Sequence, residues 1–146
     1  MKKDTLLYAP FNAAKSASMV HHYDGDAGYD LVSSASIRLE PGTFGQISTN
    51  ICVALPEGCW GMVVGRSSTA KRNLIVVPGI IDNGWRGELF AVIFNPTDSR
   101  ITIESGDRIV QLIVFNLVNP NITKLEDASK LPNGARGTKG FGSTGV

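Results

Sequence analysis

The sequence predicts an all-β protein made of many short strands with one short helix. Its apolar stretches are short, often β-branched, and separated at fairly even spacing by Gly, Pro, Asn and Asp, which is typical of strands joined by turns. No stretch repeats apolar residues at helical spacing over three turns. The 146 residues fit one domain, so we expect a single β-sandwich, barrel or jelly roll.

Turn residues divide the chain into the expected strands, for example at Gly42 and Pro96. The expected strands are 5–8, 37–39, 43–49, 51–55, 60–64, 74–77, 89–94, 101–104 and 108–115. The segment 67–73 is the one place for a short helix, and Ser67 or Ser68 would be its N-cap.

The composition argues against several classes of protein. The formal net charge is +1. The chain therefore lacks the basic excess that would indicate nucleic-acid binding and the acidic run that would indicate disorder. The longest apolar runs, within 109–115, fall far short of the roughly 20 residues that cross a bilayer. The stretch 1–10 is too short for the apolar region of a signal peptide. We therefore expect an intracellular, cytoplasmic protein that binds neither membranes nor nucleic acid directly.

The composition changes at residue 119, where apolar residues become few and Pro and Gly frequent. We expect a core domain at 1–118 and a flexible arm at 119–146 that docks on a neighbouring subunit. Within the arm, Arg136 offers a planar fork for phosphate oxygens and Phe141 a flat face for a ring. Glycines around them let backbone N–H groups turn toward an anion. These features favour a nucleotide-binding arm, with a disordered tail as the alternative.

Three polar residues follow the expected strand 60–64 and suit phosphate binding. Arg66, Ser67 and Ser68 place a cation and hydroxyl groups at a strand-to-helix junction. Backbone N–H groups at the start of a helix add positive potential there. The alternative is a helix cap beside a surface arginine.

Asp82 stands in the segment 79–87, which is a candidate β-hairpin because Asn83-Gly84 is a preferred pair for a tight turn. A carboxylate at the shoulder of such a turn could act as a general base that activates water. The alternative is that Asp82 only begins the turn.

Two carboxylates and one amide complete the candidate site. Asp26 and Asp30 flank Gly28, and one of them could hold Mg²⁺ through water, because this ion prefers few carboxylates together with substrate phosphates. The alternative is a pair of turn-forming aspartates. Gln111 lies in an apolar strand, where its amide must find hydrogen-bond partners in the backbone or face a site.

Together, five segments in this order resemble the motifs of the homotrimeric dUTP pyrophosphatase (dUTPase) family, over nearly the whole chain. The segments are 27–31, 65–68, 79–87, 106–112 and 136–145. The resemblance implies a distorted jelly-roll subunit in a threefold trimer. It also implies sites at subunit interfaces, each built from three chains, with the C-terminal arm of one chain closing over a site of another.

The resemblance assigns catalytic and phosphate-binding roles. Asp82 would deprotonate the water that attacks the α-phosphorus and would lie near the sugar 3′-hydroxyl. Gln111 would hold that water or a phosphate oxygen. Arg66, Ser67 and Ser68 would bind phosphates, with Ser67 near the bridging oxygen where leaving-group charge develops.

The resemblance also assigns the nucleoside and metal contacts. Backbone groups of Gly79, Ile80 and Ile81 would read the uracil edge. Trp85 stands where the family usually has tyrosine, packed under the deoxyribose so that no 2′-hydroxyl fits. Asp30 would reach Mg²⁺ through water, while the triphosphate holds most of the ion.

In the arm, the same resemblance pairs Arg136 with the γ-phosphate and stacks Phe141 on uracil. The other implied arm contacts come from Gly142, Ser143 and Thr144.

The implied reaction is Mg²⁺-assisted hydrolysis of dUTP to dUMP and pyrophosphate, which limits uracil incorporation into DNA and supplies dUMP for thymidylate synthesis. One alternative is a related dCTP deaminase, but that enzyme needs a glutamate on the strand after the hairpin, where this chain has Val92. Another is a non-catalytic, nucleotide-binding regulatory trimer, which would have no need for the base Asp82.

Overall fold

A computed structural model describes residues 4–138 and contains, in that range, twelve strands, one α-helix and one 3-10 helix. The strands are β1 (Leu7–Pro10), β2 (Met19–Val20), β3 (Gly28–Val32), β4 (Ile37–Leu39), β5 (Phe44–Ser48), β6 (Ile51–Ala54), β7 (Cys59–Gly65), β8 (Ile75–Val77), β9 (Gly79–Ile81), β10 (Phe90–Phe94), β11 (Ile101–Ile103) and β12 (Arg108–Asn116). The helices are α1 (Ser67–Lys71) and the 3-10 turn Ala128–Lys130. The prediction of an all-β chain with one short α-helix is confirmed.

The largest sheet has the order β2-β3-β12-β7-β9 and carries most of the segments singled out above. Three smaller sheets accompany it, with the orders β5-β10-β8, β1-β6 and β11-β4. All of the strand pairs in these sheets are antiparallel. The buried core draws one apolar face from each of the four sheets, including Leu31, Leu39, Val53, Ile93 and Leu112, all nearly inaccessible to solvent.

Two local predictions about the chain were wrong. The N-cap of α1 is Arg66, which has extended backbone angles and no side-chain cap, so neither Ser67 nor Ser68 has this position. The segment 79–87 forms a turn, closed by a 3.0 Å hydrogen bond from the Trp85 N–H to the Asp82 carbonyl, but it is not a hairpin. Strand β9 pairs with β7, whereas β10 belongs to another sheet.

The chain leaves the core after β12. Every residue from 115 to 138 is exposed, including Leu117, Val118 and Ile122, which is 97% exposed. The 3-10 turn in this segment is capped by Asp127, whose pKa is held below its ordinary value by hydrogen bonds from the Ser129 side chain and backbone N–H. No helix within residues 4–138 is long and apolar enough to span a bilayer.

Candidate functional site

A polar cleft of about 230 Å³ lies at one end of the five-stranded sheet. It is lined by residues from the loop before β3, from β3, from the β7–α1 junction and from β12. The lining residues are His22, Asp26, Ala27, Gly28, Asp30, Arg66, Ser67 and Gln111. The sequence-predicted residues Asp30, Arg66, Ser67 and Gln111 therefore meet in one place.

A buried ion pair organises this cleft. Asp30 is only 5% exposed, and its Oδ1 accepts a 2.6 Å contact from Nε of Arg66. The Nη1 group of Arg66 donates to the Arg108 carbonyl at 2.9 Å and to Oγ of Ser68 at 3.3 Å. Because three groups hold the guanidinium, its orientation is fixed before any ligand arrives, which reduces the entropy that ligand binding must overcome.

The hydroxyl groups beside Arg66 sit at the start of α1. Ser67 is the first helical residue, and both Ser67 and Ser68 are exposed. The buried Thr69 fixes this junction to the sheet, because its hydroxyl donates to the carbonyl of Ile109 in β12. The helix is therefore held with its first residue at the cleft.

Gln111 lies opposite both Asp30 and Val64 in the ladders of β12. Its Nε2 donates to the Gly65 carbonyl at 3.1 Å, so the predicted need for a backbone partner is met. Its other amide atom, Oε1, lies against the backbone of Gly28, where a Cβ would overlap it and would stand 2.8 Å from Cδ. Glycine at position 28 thus makes room for the Gln111 amide at the cleft.

A second cleft, of about 350 Å³, lies beyond the end of β9 and contains the predicted base. Its lining includes Ile80, Asp82, Trp85 and Glu88. Asp82 is exposed and Trp85 is 49% exposed. The indole packs against Gly87, where a Cβ would stand 2.8 Å from Cε2.

The turn that carries Asp82 is anchored to the connection between β6 and β7. The Asn83 side-chain amide donates to the carbonyls of Pro56 at 2.7 Å and Cys59 at 2.8 Å. Neither Asn83 nor Gly84 has the positive φ of a type I′ turn. Asn83 therefore serves as a tether to the β6–β7 connection, a role that the turn propensity alone did not suggest.

The two clefts of one chain lie far apart. Ile81 pairs with Gly61 near the start of β7, whereas Arg66 follows the last residue of this strand. Five residues at about 3.3 Å each separate these levels by about 16 Å along the strand. Because β9 runs antiparallel to β7, Asp82 lies farther still from Arg66.

The arm is described only in part. Arg136 lies in a turn in which the N–H of Gly137, with a φ of 54°, donates to the Gly134 carbonyl at 3.0 Å. The other predicted arm contacts, Phe141, Gly142, Ser143 and Thr144, lie outside the described residues.

Two residues beside the first cleft, His22 and Arg108, were not predicted from the sequence. The Nε2 atom of His22 lies 3.2 Å from Oδ2 of Asp30 and 2.7 Å from Nη1 of Arg108. The only sequence signal for His22 is the adjacent pair His21-His22 before the aspartate-rich loop, and this pair lacks the spacing of a metal site. Among residues 4–138, no three His, Cys, Asp or Glu side chains are grouped to hold a metal ion.

Comparison with known proteins identifies one family. A family model described as dUTPase matches residues 14–145. The chain is 41% identical over 130 residues to the deoxyuridine 5′-triphosphate nucleotidohydrolase of Leifsonia xyli subsp. xyli, covering 86% of this chain and 84% of the relative.

Solved structures agree with this match. The structure is similar to that of Staphylococcus bacteriophage 80alpha dUTPase with dUPNHPP, at 28% identity and a TM-score of 0.87, covering 98% of this chain and 99% of the other. It is also similar to a mutant dUTPase from phage phi11 of S. aureus that coordinates a structural Mg(II) ion, at 24% identity and a TM-score of 0.76, covering 86% and 99%. These likenesses confirm the jelly-roll fold.

Proposed function

Because the chain belongs to the dUTPase family, we propose that it is a deoxyuridine triphosphate nucleotidohydrolase that converts dUTP and water to dUMP and pyrophosphate. The observation that carries this proposal is the meeting of Asp30, Arg66, Ser67 and Gln111 in one polar cleft. The reaction would draw on the intracellular nucleotide pool, keep uracil out of DNA and supply dUMP for thymidylate synthesis.

The first cleft would bind the triphosphate. Arg66 offers a planar, permanently charged donor to phosphate oxygens, and the exposed hydroxyls of Ser67 and Ser68 stand beside it. Ser67 would donate to the bridging oxygen on which negative charge develops when pyrophosphate leaves. Gln111 would hold a phosphate oxygen or the attacking water with its Oε1 or with the remaining N–H of its amide.

The donor set of this cleft fits Mg²⁺ carried mainly by the substrate. One Asp30 oxygen is paired with Arg66 and the other lies 3.2 Å from His22, so a contact with the ion through water suits Asp30 better than direct ligation. Mg²⁺ usually keeps several waters and binds through one or two carboxylates together with substrate phosphates. When bound, the ion neutralises phosphate charge and helps to fix an in-line geometry.

The second cleft would bind the nucleoside and supply the base. Backbone groups of Gly79, Ile80 and Ile81 would read the uracil edge, and Trp85 would pack under the deoxyribose and exclude a 2′-hydroxyl. Asp82 is exposed beside them, so a water molecule can come within hydrogen-bond reach of its carboxylate.

The separation of the two clefts supports a site assembled from more than one chain. Asp82 lies more than about 16 Å from Arg66 along the strand direction, whereas a general base must reach its proton at about 3 Å or through one water. The phosphate cleft of one subunit would therefore meet Asp82 of a neighbour. A closed threefold ring with heterologous contacts forms such sites three times.

An exposed apolar face supports self-association. On the outer side of the sheet β5-β10-β8, five large apolar side chains are 41–65% exposed, and monomeric proteins rarely leave large contiguous apolar patches in water. The five are Phe44, Ile75, Val77, Phe90 and Val92. We place the trimer contact there, in part, and propose that the arm 119–146 of one subunit closes over a site of another.

Replacing Gly28 with alanine is expected to reduce activity about tenfold, the cost of about one hydrogen bond, because the new Cβ would displace the Gln111 amide. The fold should persist, since a side-chain end can swing away. Steady-state kinetics and thermal unfolding measure the two effects.

The matched control for Gly28→Ala is Gly25→Ala, three residues earlier in the loop before β3, where an added Cβ meets nothing within 4 Å. If both variants or neither lose activity, the proposed role of the Gln111 amide is wrong.

The decisive experiment is product analysis with dUTP, dCTP and UTP in the presence of Mg²⁺. Equal release of dUMP and pyrophosphate from dUTP, with UTP a much poorer substrate, is expected. Ammonia from dCTP would indicate a deaminase, and tight dUTP binding without any product would indicate a regulatory binding protein.

Comparison of UTP turnover between the wild type and Trp85→Tyr measures the effect of the indole on sugar selection.

A further inference from the structure

We propose that His22 is a further phosphate-binding residue, made into a neutral hydrogen-bond donor by its contact with Arg108. The proposal rests on the proposed function for the identity of the ligand, a polyphosphate. The state of the imidazole ring is a property of the free chain and is tested separately.

The loop 21–27 holds His22 at the cleft. The Tyr23 N–H donates to Oδ2 of Asp26 at 3.1 Å, and the Asp26 N–H donates back to the Tyr23 carbonyl at 3.0 Å. The ring of His21 stacks on Tyr29 with centroids 4.7 Å apart, which fixes the loop to β3. His22 itself lines the cleft together with Arg66 and Ser67.

A β-bulge brings Arg108 to the same face of the sheet. Residues three apart in a regular strand point to opposite faces, so Arg108 and Gln111 would normally diverge. The pairing of β12 with β3 shifts between Arg108 and Val110, which adds one residue and reverses the direction of Arg108. Its Nη1 consequently lies 3.8 Å from Oδ2 of Asp30 and 2.7 Å from Nε2 of His22.

The contact with Arg108 decides which ring nitrogen of His22 carries the proton. A guanidinium group only donates, so Nε2 of His22 must accept at 2.7 Å. The same nitrogen cannot then donate to Asp30, which is farther away at 3.2 Å and already paired with Arg66. The remaining nitrogen, Nδ1, therefore carries the hydrogen of a neutral ring.

The Nδ1–H group of His22 has no hydrogen-bond partner among residues 4–138. The side chain is 39% exposed and lines a cleft that already presents a guanidinium and a hydroxyl. A phosphate oxygen is the acceptor that suits this set of donors. Since the ring is neutral, it adds a hydrogen bond without adding to the charge of the cleft.

The first test is the protonation state of the free protein, read from two-bond ¹⁵N–¹H correlation spectra of the imidazole rings. The expected result is that His22 is protonated on Nδ1 alone at neutral pH. The spectrum of Arg108→Met, in which the accepted hydrogen bond is gone, should show a shift toward the Nε2–H form. Protonation on Nε2 alone, or on both nitrogens, in the wild type would overturn the proposal.

The second test compares His22→Phe with the matched control His21→Phe. The control keeps an aromatic ring against Tyr29 and loses only the exposed 3.0 Å hydrogen bond between Nε2 of His21 and the Asp26 carbonyl. Affinity for inorganic tripolyphosphate, measured by calorimetry with Mg²⁺ held constant, should fall about tenfold in His22→Phe, as for the loss of about one hydrogen bond to a charged group. It should stay within about twofold in His21→Phe. For dUTP, KM should rise while kcat changes little.

Equal losses of affinity in the two variants would mean that the ring only shapes the loop, and unchanged affinity in His22→Phe would mean that it does not bind phosphate. Either result contradicts the proposal. If the wild type binds tripolyphosphate through His22 but releases no pyrophosphate from dUTP, the proposed function fails and the phosphate contact stands.

Discussion

Replacement of Asp82 with asparagine is expected to lower kcat for dUTP by about 10²- to 10⁴-fold, the usual contribution of a general base. The affinity for a non-hydrolysable dUTP analogue should change little, because the amide keeps the size of the side chain and its ability to bond the sugar hydroxyl. Single-turnover kinetics with a separate binding measurement would distinguish these effects. Asp98→Asn, remote and exposed, is the matched control.

The rival base is Glu88, which lines the same cleft. Its Oε1 already accepts hydrogen bonds from the Asn50 N–H at 2.7 Å and from the Ser48 hydroxyl, which favours a structural role. Full turnover in Asp82→Asn together with loss of turnover in a folded Glu88→Gln variant would identify Glu88 as the general base.

Removal of residues 136–146 is expected to leave a folded, self-associated protein with kcat/KM for dUTP reduced by about 10³-fold or more, as for loss of an arginine supplied in trans to a phosphoryl group. Every described residue after β12 is exposed and the buried core ends at Leu112, so the truncation removes no described core contact. Thermal unfolding, sedimentation and kinetics would measure the three properties.

A second truncation, after Thr138, separates the parts of the arm. It retains Arg136 but removes Phe141 and the hydroxyl residues, so it should recover part of the lost activity through the retained arginine. An unfolded product from either truncation would show that the arm is structural. Full activity after truncation would show that the arm does not contribute to the site.

Local sequence signals sufficed for strands with strong formers and clear turns. Ile37–Leu39 has the predicted bounds because apolar branched residues precede Pro41-Gly42. Gly28–Val32 was missed because glycine and aspartate are poor strand formers. Here the buried pair of Asp30 with Arg66 and the neighbouring β12 override the local preference.

Which strands pair with one another could not be predicted from the local sequence. The segment 79–87 has the composition of a hairpin, yet β9 joins β7 and β10 joins β5 and β8. These pairings bury one apolar face of each strand, for example Ile81 in β9 and Ile93 in β10, against strands distant in the sequence, so a turn-forming pair does not determine them. Met19–Val20 is too short to give any alternating pattern.

The site was predictable where the resemblance supplied the grouping. Asp30, Arg66, Ser67 and Gln111 were expected to serve one phosphate site, and they line one cleft. Their catalytic roles remain predictions. The contact between His22 and Arg108 could not be foreseen, because the bulge in β12 reverses the face on which a regular strand would place Arg108.

The position of the two clefts at opposite ends of one sheet has a consequence for how activity depends on abundance. If complete sites form only between chains, a folded single chain is inactive, and activity per chain falls on dilution below the dissociation constant of the assembly. Near that concentration, a modest fall in protein level would cause a steeper fall in dUTP clearance. The amount of protein in the cell would then regulate the reaction without any effector.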